Sequence, residues 1–520
     1  MENQNIITFA YHQLKSQRYD EANMNYIKRI QKRAREYRES KYLSDNPLVA
    51  DLQKALEADR VLENLDDRIL YSKDESVFEG GIAGPVCFPL STEEVQAIMK
   101  IAEKHDRHVI PRGAGSGLAG GAITLGAPIV IAMTKMNNIF EVDTDNRIAW
   151  VEPGVINLEL SDYLKPFGFH YGPDPSSQQI CTLGGNVANN SGGPHCLADG
   201  VTDTHVLALE VVLPNGDVTI FGGLDAEPAG LDLRGAFIGS EGTLGITTKI
   251  AVRLTPNPDD VQTLLISFPS MRKAAETVSA IIADGIVPAA MEAMDQKTIE
   301  VIEKHIPSGY PTDAGAVLLV EVEGLPDGVE VEALRIGEIA ENHEATDIKI
   351  AQTSYQRDAL WKGRKSAFGA STYLAPNYYL HDTVVPRSEL ANVLDKVNAL
   401  AEENNLTIMN VFHAGDGNLH PLLVFDASEA GMLERVHKVA AEIVKISLDA
   451  GGVLSGEHGI GIEKLEFMEQ LFTDADLDHQ NKLRSAFDPQ CRINPGKVLP
   501  TGHSCADIQT LNKIPEGTWV

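Results

Sequence analysis

The chain reads Pro111-Arg112-Gly113-Ala114-Gly115-Ser116-Gly117, and the short apolar run that leads into it, residues 108–111, predicts a β-strand. Alternate glycines let backbone N–H groups approach a pyrophosphate closely, because no Cβ stands in the way. The dinucleotide-binding fingerprint is absent, since no βαβ unit with a ribose-binding acid follows, and no Gly-Lys-Ser/Thr phosphate loop occurs. Taken alone, the loop fits a tight turn as well as it fits an anion site.

Further polar, glycine-dense loops follow the first one in the same part of the chain. They are residues 174–177 with 183–186, residues 189–193, and residues 239–245. So many loops of this kind exceed what turns require. Their backbone donors and side-chain amides are what an extended, polar, phosphate-containing cofactor needs, and we therefore predict a cofactor site here.

The order of strand and helix patterns predicts two α+β domains. Asn215-Gly216 predicts a hairpin in the first domain, and Thr255-Pro256-Asn257-Pro258 marks the boundary with the second, whose sheet we expect to be covered on one side. A basic helical pattern over 26–41 is interpreted as a solvated helix, with a transit segment or a docking surface as alternatives. The predicted segments are a helical extension over 1–50, the domains over 51–258 and 259–500, and a tail over 501–520.

Composition excludes several classes of protein. The 520 residues carry a net charge of −30, which argues against nucleic-acid binding. The 5 cysteines form no Cys-x-x-Cys pair, so neither an iron–sulfur cluster nor a cysteine zinc site is expected. No apolar run reaches the length of a membrane-spanning helix, and no hydrophobic signal core is present near residue 1. We expect a cytoplasmic protein.

Two short segments in the second domain point to chemistry. One is His413-Ala414-Gly415-Asp416-Gly417-Asn418-Leu419-His420, in which a Gly-Asp-Gly turn lets two imidazoles converge. The other is Ser455-Gly456-Glu457-His458-Gly459-Ile460-Gly461, which supplies a carboxylate and a third imidazole. His413, His420 and Glu457 make a three-ligand site for Zn²⁺, Mn²⁺ or Fe²⁺, which leaves His458 free to act as a base.

Together, these segments resemble the vanillyl-alcohol oxidase superfamily with its PCMH-type FAD-binding domain. Within it, the chain is similar to the FAD-linked D-2-hydroxyacid dehydrogenases, in particular the flavin subunits of glycolate oxidases and the D-lactate dehydrogenases. Matching runs include 111–115, 172–178, 239–242, 361–365 and the two segments above, so that the likeness covers roughly residues 50–505. It implies an α+β fold, with two α+β subdomains binding FAD, an α+β substrate domain with an antiparallel sheet, and a C-terminal segment that returns to the FAD domain.

The resemblance also implies which residues act. FAD is expected to be noncovalent, because Ser116 stands where some members of the superfamily carry the His that links the flavin. His458 would be the base and Arg364 would bind the substrate carboxylate, a pairing that suits a guanidinium. The implied FAD-binding residues are Arg112, Gly113, Ala114, Gly115, Ser116, Gly117, Asp174, Pro175, Ser176, Ser177, Gly184, Gly185, Asn186, Asn190, Ser191, Gly239, Glu241, Gly242, Gly245 and Ile246.

Departures from the family pattern bear on the substrate. The hydroxyglutarate enzymes carry a Thr, a Lys and an Asn where this chain has Phe368, Leu380 and Leu422. A second substrate carboxylate would be buried there without partners, which favours a small 2-hydroxy acid such as glycolate or D-lactate. D-2-hydroxyglutarate or another D-2-hydroxy acid is the alternative. A non-catalytic flavoprotein subunit of an oxidase complex is the alternative from another class.

The expected reaction is a hydride transfer from the 2-hydroxy acid to FAD. Because the chain has no iron–sulfur ligands of its own, electrons would leave to an iron–sulfur subunit, a cytochrome, a quinone or an electron-transfer flavoprotein; an oxidase that uses oxygen stays open. The partners expected are therefore the substrate, that acceptor and further subunits of a homo- or hetero-oligomer, with membrane association only through partner subunits.

Overall fold

The computed structural model describes residues 46–78, 80–224 and 230–500. The basic pattern over 26–41 and the tail over 501–520 lie outside the described residues. We propose 51–258 and 259–500 as the limits of the first and second domains. Among the described residues, no helix combines the length and the apolarity that are needed to cross a bilayer.

Among the described residues, the first domain contains a four-stranded sheet, a five-stranded sheet and a two-stranded sheet. In the four-stranded sheet the order is β1-β2-β4-β3, and β4 runs parallel to both β2 and β3. The second sheet has five antiparallel strands in the order β5-β6-β10-β8-β9, while β7 pairs with β11. The strands are β1 Val61–Leu62, β2 Val86–Cys87, β3 Val109–Arg112, β4 Ile129–Ala132, β5 Ile139–Asp143, β6 Ile148–Val151, β7 Phe169–His170, β8 Val206–Val212, β9 Val218–Gly222, β10 Ile246–Arg253 and β11 Thr255–Pro256.

Helices cover these sheets. The helix over Thr92–Lys104 is capped by Ser91, whose hydroxyl accepts a hydrogen bond from the backbone N–H of Glu94. Its apolar side packs with Leu48 and Leu52 of the first helix on the four-stranded sheet. The helices are α1 Asn46–Ala55, α2 Leu65–Ile69, α3 Thr92–Lys104, α4 Asn157–Leu164, α5 Leu183–Asn189, α6 Cys196–Asp199, α7 Thr202–His205 and α8 Leu233–Phe237.

The second domain is built on one nine-stranded sheet. Its main path is β15-β12-β14-β13-β18-β19-β17, with β20 pairing β16 and β18. The strands are β12 Asp260–Phe268, β13 Ala290–Asp295, β14 Ala316–Gly324, β15 Asp347–Ile350, β16 Asn377–Leu380, β17 Thr383–Val384, β18 Thr407–His413, β19 Asn418–Leu419 and β20 Pro421–Phe425. The helices are α9 Met271–Ala283, α10 Gln296–His305, α11 Pro326–Asn342, α12 Ser354–Lys365, α13 Ala367–Ala370, α14 Leu390–Glu403, α15 Met432–Asp449, α16 Met468–Leu471 and α17 Asp474–Phe487.

The expectation that this sheet is covered on one side is wrong. Leu264 and Ile266 of β12 pack in one apolar cluster with α9, α11 and α14, whereas Leu265 packs in a second cluster with α10 and α12. Successive residues of a strand point to opposite faces, so both faces are covered. The sheet therefore lies in the protein interior, where β13 carries the buried Glu292 and the end of β18 carries the buried His413.

The C-terminal segment returns to the first domain. Ile493 forms a parallel bridge with Val109 of β3. Further along, the ammonium of Lys497 is fully buried and donates to the carbonyl oxygens of Gly120, Gly121 and Ile123 at 2.8, 3.2 and 2.6 Å. These bonds fix the chain that follows the first glycine-rich loop.

We expect the Lys497→Met variant to lose about 3 kcal/mol of unfolding free energy, because buried carbonyls would lose a charged donor. Urea titration of the FAD-loaded protein measures the loss. The exposed Lys482 gives the matched control, Lys482→Met, for which we expect a change within about 0.5 kcal/mol. Equal stabilities of the two variants would contradict the structural role of the buried ammonium.

Candidate active site

A cavity of about 470 Å³ lies where the glycine-rich loops of the first domain meet the second domain. Its size falls within the range of small-molecule sites. The loop after β3, the loop before α5 and the loop before β10 line it on one side. Glu457, His458, Lys365, Phe368 and Tyr378 of the second domain line it on the other.

Most of the residues predicted to bind FAD line this cavity. Those that do are Arg112, Gly113, Ala114, Gly115, Ser116, Gly117, Pro175, Ser176, Ser177, Gly184, Gly185, Asn186, Ser191, Glu241, Gly242, Gly245 and Ile246. Three predicted residues do not line it. Asp174 forms an ion pair with His195, Asn190 ends α5 in a left-handed conformation, and the N–H of Gly239 donates to the carbonyl of Val187. These three residues shape the loops behind the cavity wall.

Local geometry shows why the loops need glycine. A Cβ built on Gly117 would meet no protein atom within 4 Å, so the backbone there borders open space of the cavity. Opposite it, α5 begins at Thr182, whose hydroxyl accepts from the N–H of Gly185. Bare backbone on two facing loops can lie against an extended polar ligand without steric interference, so the residues present fit a phosphate-containing cofactor such as FAD.

The predicted metal ligands converge in the second domain. His413 ends β18, His420 follows β19, and their ring centroids lie 5.2 Å apart. Nε2 of each ring lies 3.4 Å from the same oxygen, Oε1 of Glu457. The turn between the two histidines therefore brings both onto one side, as the sequence predicts.

The other nitrogen of each ring is already bonded. Nδ1 of His413 lies 2.7 Å from Oε1 of Glu292, and Nδ1 of His420 lies 3.0 Å from the backbone oxygen of His381. A metal-binding His commonly donates its second N–H to a carboxylate or a carbonyl, which leaves Nε2 as the ligand. Nε2 of His420 is buried and has no hydrogen-bond partner among the described residues. The three side chains thus fit a divalent metal.

A second triad, Asp382, His420 and His458, also places three potential ligand atoms within 4.8 Å of one another. Asp382 is less suited to a metal because its carboxylate is already occupied. Oδ1 accepts from Asn418 and the N–H of Gly456, and Oδ2 accepts from Ser455, Lys464 and the N–H of His458. We therefore assign Asp382 to holding the 455–458 segment in place.

The pKa shifts of Glu457 and His413 agree with assigning these two residues to the metal. Burial would raise the pKa of Glu457, but His413 and His420 hold it well below its usual range. Burial would lower the pKa of His413, but Glu292 and Glu457 raise it well above its usual value. Both shifts express the same attraction, which a bound cation would replace.

His458 lies between the metal triad and the first domain. Its ring stacks on His420 with centroids 5.2 Å apart, and its Nε2 lies 4.0 Å from Oε1 of Glu457. Burial lowers the pKa of His458 to about 4, so its ring is neutral near pH 7. The side-chain amide of Asn189, in α5, donates to the backbone oxygen of His458 at 2.7 Å.

Glu241, in the loop before β10, binds the backbone of residues 460–461, which follow His458. Its two carboxylate oxygens accept from the backbone N–H groups of Ile460 and Gly461, at 2.6 and 2.7 Å. Gly461 has φ +52°, and a Cβ there would lie 1.9 Å from the backbone oxygen of Ala119. Only glycine fits this close approach of the two domains.

Arg364 is fully buried on α12 and forms an ion pair with Glu292, with 2.5 Å between Nη2 and Oε2. Glu292 in turn contacts His413, so the guanidinium is linked to the metal triad through one carboxylate. Nε and Nη1 of Arg364 have no hydrogen-bond partner among the described residues. Arg364 does not line the cavity, and its pairing with a substrate carboxylate stays a prediction.

Sequence reasoning missed Asp382 and Glu292, the two buried carboxylates that orient the site. A charged residue inside the apolar strand Ala290–Asp295 was a signal for Glu292, since an ionised group is rarely buried without a partner. Asp382 gave no local signal, because its partners follow more than thirty residues later in the chain. Lys365 and Tyr378 also line the cavity, although each alone fits a structural role as well.

The three apolar residues that replace polar residues of the hydroxyglutarate enzymes lie together. Leu380 and Leu422 are buried cross-strand neighbours, and Phe368 packs against the same apolar cluster. The ring of Phe368 also meets that of His420 edge-on, with centroids 5.9 Å apart. Phe368 therefore places the edge of this apolar cluster beside the metal triad.

Comparison with known proteins agrees with this architecture. Residues 84–222 match the model of an FAD binding domain, and residues 257–498 match that of the FAD linked oxidases, C-terminal domain. The glycolate oxidase subunit GlcD of Escherichia coli (strain K12) is 40% identical over 427 residues, which are 82% of this chain and 86% of that protein. The chain belongs to the FAD-linked oxidase family.

Two further members of the comparison extend this result. D-lactate dehydrogenase of Anaerostipes hadrus is 31% identical over 88% of this chain and 99% of its own. The solved structure of 4-ethylphenol oxidase from Gulosibacter chungangensis superposes with a TM-score of 0.73 at 17% identity, covering 89% of this chain and 98% of that one. The predicted α+β, PCMH-type fold is confirmed, and so is FAD as the cofactor of this FAD-linked oxidase. The expected enzyme class, an FAD-dependent 2-hydroxyacid dehydrogenase, is confirmed at the level of the family.

Proposed function

We propose that this FAD-linked oxidase oxidises a small 2-hydroxy acid without a second carboxylate, glycolate or D-lactate, to the 2-oxo acid in a metal-dependent reaction. The observation that carries the proposal is the convergence of His413 and His420 on Glu457, which lines the flavin cavity together with His458. The names of the relatives, a glycolate oxidase subunit and a D-lactate dehydrogenase, support the substrate class.

In this proposal His413, His420 and Glu457 hold one divalent metal, Zn²⁺, Mn²⁺ or Fe²⁺, and the glycine-rich loops hold FAD without a covalent link. When bound, FAD supplies the hydride acceptor and the divalent ion supplies a Lewis acid that favours the ionised hydroxyl. His458 accepts the hydroxyl proton at Nε2 in its neutral form. Arg364 donates from Nε and Nη1 to the substrate carboxylate, and Glu292 holds both Arg364 and His413 in place.

The apolar cluster that contains Phe368, Leu380 and Leu422 disfavours a substrate with a second carboxylate. Phe368, Leu380 and Leu422 offer no donor, so a dicarboxylic 2-hydroxy acid would have to bury a charge without a partner. A hydrogen atom or a methyl group on the reacting carbon meets no such cost. We therefore rank D-2-hydroxyglutarate below glycolate and D-lactate.

Electrons leave to a non-NAD acceptor, which we propose to be a separate iron–sulfur subunit. The name of the GlcD relative, a subunit of glycolate oxidase, supports such an assembly. We place the enzyme in the cytoplasm, with any contact to a membrane made through partner subunits.

Anaerobic flavin absorbance tests the substrate and the metal together. We expect glycolate or D-lactate to bleach the flavin band at least about a hundredfold faster than D-2-hydroxyglutarate, a difference that one unpaired buried charge easily produces. Chelation should abolish bleaching, and a divalent metal should restore it. Faster bleaching by D-2-hydroxyglutarate would overturn the substrate ranking, and flavin that none of these acids bleaches would favour a non-catalytic subunit.

A further inference from the structure

One partly buried imidazole, that of His195, joins the two domains behind the flavin cavity. Nδ1 of His195 lies 3.0 Å from Oδ2 of Asp174 in the first domain. Its Nε2 lies 3.4 Å from Oε1 of Glu321, a fully buried residue of β14 in the second. A neutral imidazole has one N–H and can donate to only one of these carboxylates, whereas the imidazolium donates to both. The arrangement therefore favours a charged ring.

On the first-domain side, this contact acts on a flavin loop. The carboxylate of Asp174 also accepts from the backbone N–H of His195 at 3.3 Å. Asp174 is followed directly by Pro175, Ser176 and Ser177, which all line the cavity. The position of this loop thus depends on the partner of Asp174.

On the second-domain side, the contact acts on helix α12. Glu321 accepts from Nε and Nη2 of Arg357 at 2.9 and 2.7 Å and from Nε1 of Trp361 at 2.8 Å. Lys365, one turn further on the same face, lines the cavity and lies 3.6 Å from Asp174. Helix α12 and the 174–177 loop are therefore held by one charge network with His195 at its centre.

We propose that His195 is a positioning residue for the cofactor: its imidazolium fastens the 174–177 loop to the second domain, so that FAD affinity depends on the charge of this ring. The indole of Trp361 covers the ring, with centroids 5.5 Å apart, and keeps water from one of its faces. FAD is the cofactor that the family establishes, and this role of His195 does not depend on the substrate or the metal.

The charge persists through neutral pH. Burial alone would lower the pKa of His195, but the carboxylates of Asp174 and Glu321 raise it well above its usual value of 6.5. Since this folded pKa is raised, the stabilisation is fully present below the usual value and is lost as pH rises through the raised pKa. The charged groups around the ring are Asp174, Asp199, Glu321, Glu323, Arg357 and Lys365.

The test measures FAD dissociation by flavin fluorescence, without substrate, from about pH 6 to about pH 10. We expect the FAD affinity of the unaltered protein to fall about tenfold at alkaline pH, where the His195 imidazolium loses its proton. A change of about tenfold is the effect of losing one charge-assisted hydrogen bond. His195→Gln should bind about tenfold more weakly already at neutral pH and lack that ionisation. The control His105→Gln removes an imidazole that contacts Asp51 by a single nitrogen. This variant should keep the fall in FAD affinity at alkaline pH.

A second variant separates charge from packing. Asp174→Asn preserves the shape of the side chain and should move the ionisation towards neutral pH, because one of the two carboxylates that favour the imidazolium is gone. Circular dichroism of each variant shows that it is folded. Parallel profiles of FAD affinity for the unaltered protein and His195→Gln would overturn the proposal. So would an unchanged ionisation in Asp174→Asn.

Discussion

Replacing His458 by Asn is expected to slow anaerobic reduction of the flavin by substrate about a thousandfold, within the range that a general base contributes. The variant should retain FAD, because the ring does not hold the glycine-rich loops. The backbone of residue 458, which accepts from Asn189 and donates to Asp382, is unchanged by the substitution. Stopped-flow absorbance at saturating glycolate or D-lactate measures the rate.

A matched histidine controls for the substitution itself. His437 lies on helix α15 and does not line the cavity, so His437→Asn should reduce its flavin at the rate of the unaltered protein. Full-speed reduction in the His458 variant would remove this residue as the base. In that case, the role would pass to a group outside the imidazole cluster.

Replacing Glu457 by Gln is expected to remove both the metal and the activity. One oxygen of this carboxylate faces Nε2 of His413 and of His420, and a neutral amide lacks the charge that a divalent ion requires. We expect bound metal to fall more than about tenfold and flavin reduction to fall more than about a hundredfold. Elemental analysis of the purified variant and the anaerobic absorbance assay measure these two quantities.

The exposed Glu469 gives a charge-matched control, and Glu469→Gln should keep both metal and activity. The FAD content of the Glu457 variant should stay near one per chain, which separates loss of the metal from loss of the flavin. A variant that loses its metal yet reduces flavin at the normal rate would show that the triad is structural.

What could be predicted from the sequence depended on how close together the interacting residues are in the chain. The loop at 111–117 could be recognised because its glycines act on their own backbone. His413 and His420 could be paired because a short turn fixes their approach. The strand that leads into the 111–117 loop followed from the apolar run over 108–111, and the structure places β3 at Val109–Arg112.

Features that join distant segments could not be predicted in this way. Asp382 organises residues 455–458, and Glu241 organises 460–461, yet no periodicity links either carboxylate to its partners. The two-sided burial of the second sheet did have a signal. The run Ala316–Val322 is almost continuously apolar, which is typical of strands buried on both faces, whereas a strand covered on one side would alternate.

The return of the C-terminal segment determines when, during synthesis, the flavin site can be completed. The carbonyls of Gly120, Gly121 and Ile123 receive their ammonium donor from a residue more than 370 positions later, and β3 receives Ile493 as a neighbour. A domain emerging from the ribosome folds as a unit only when its contacts are present. The flavin loops of the nascent chain therefore stay incomplete until translation has passed residue 497, and we expect FAD to be acquired after release rather than during elongation.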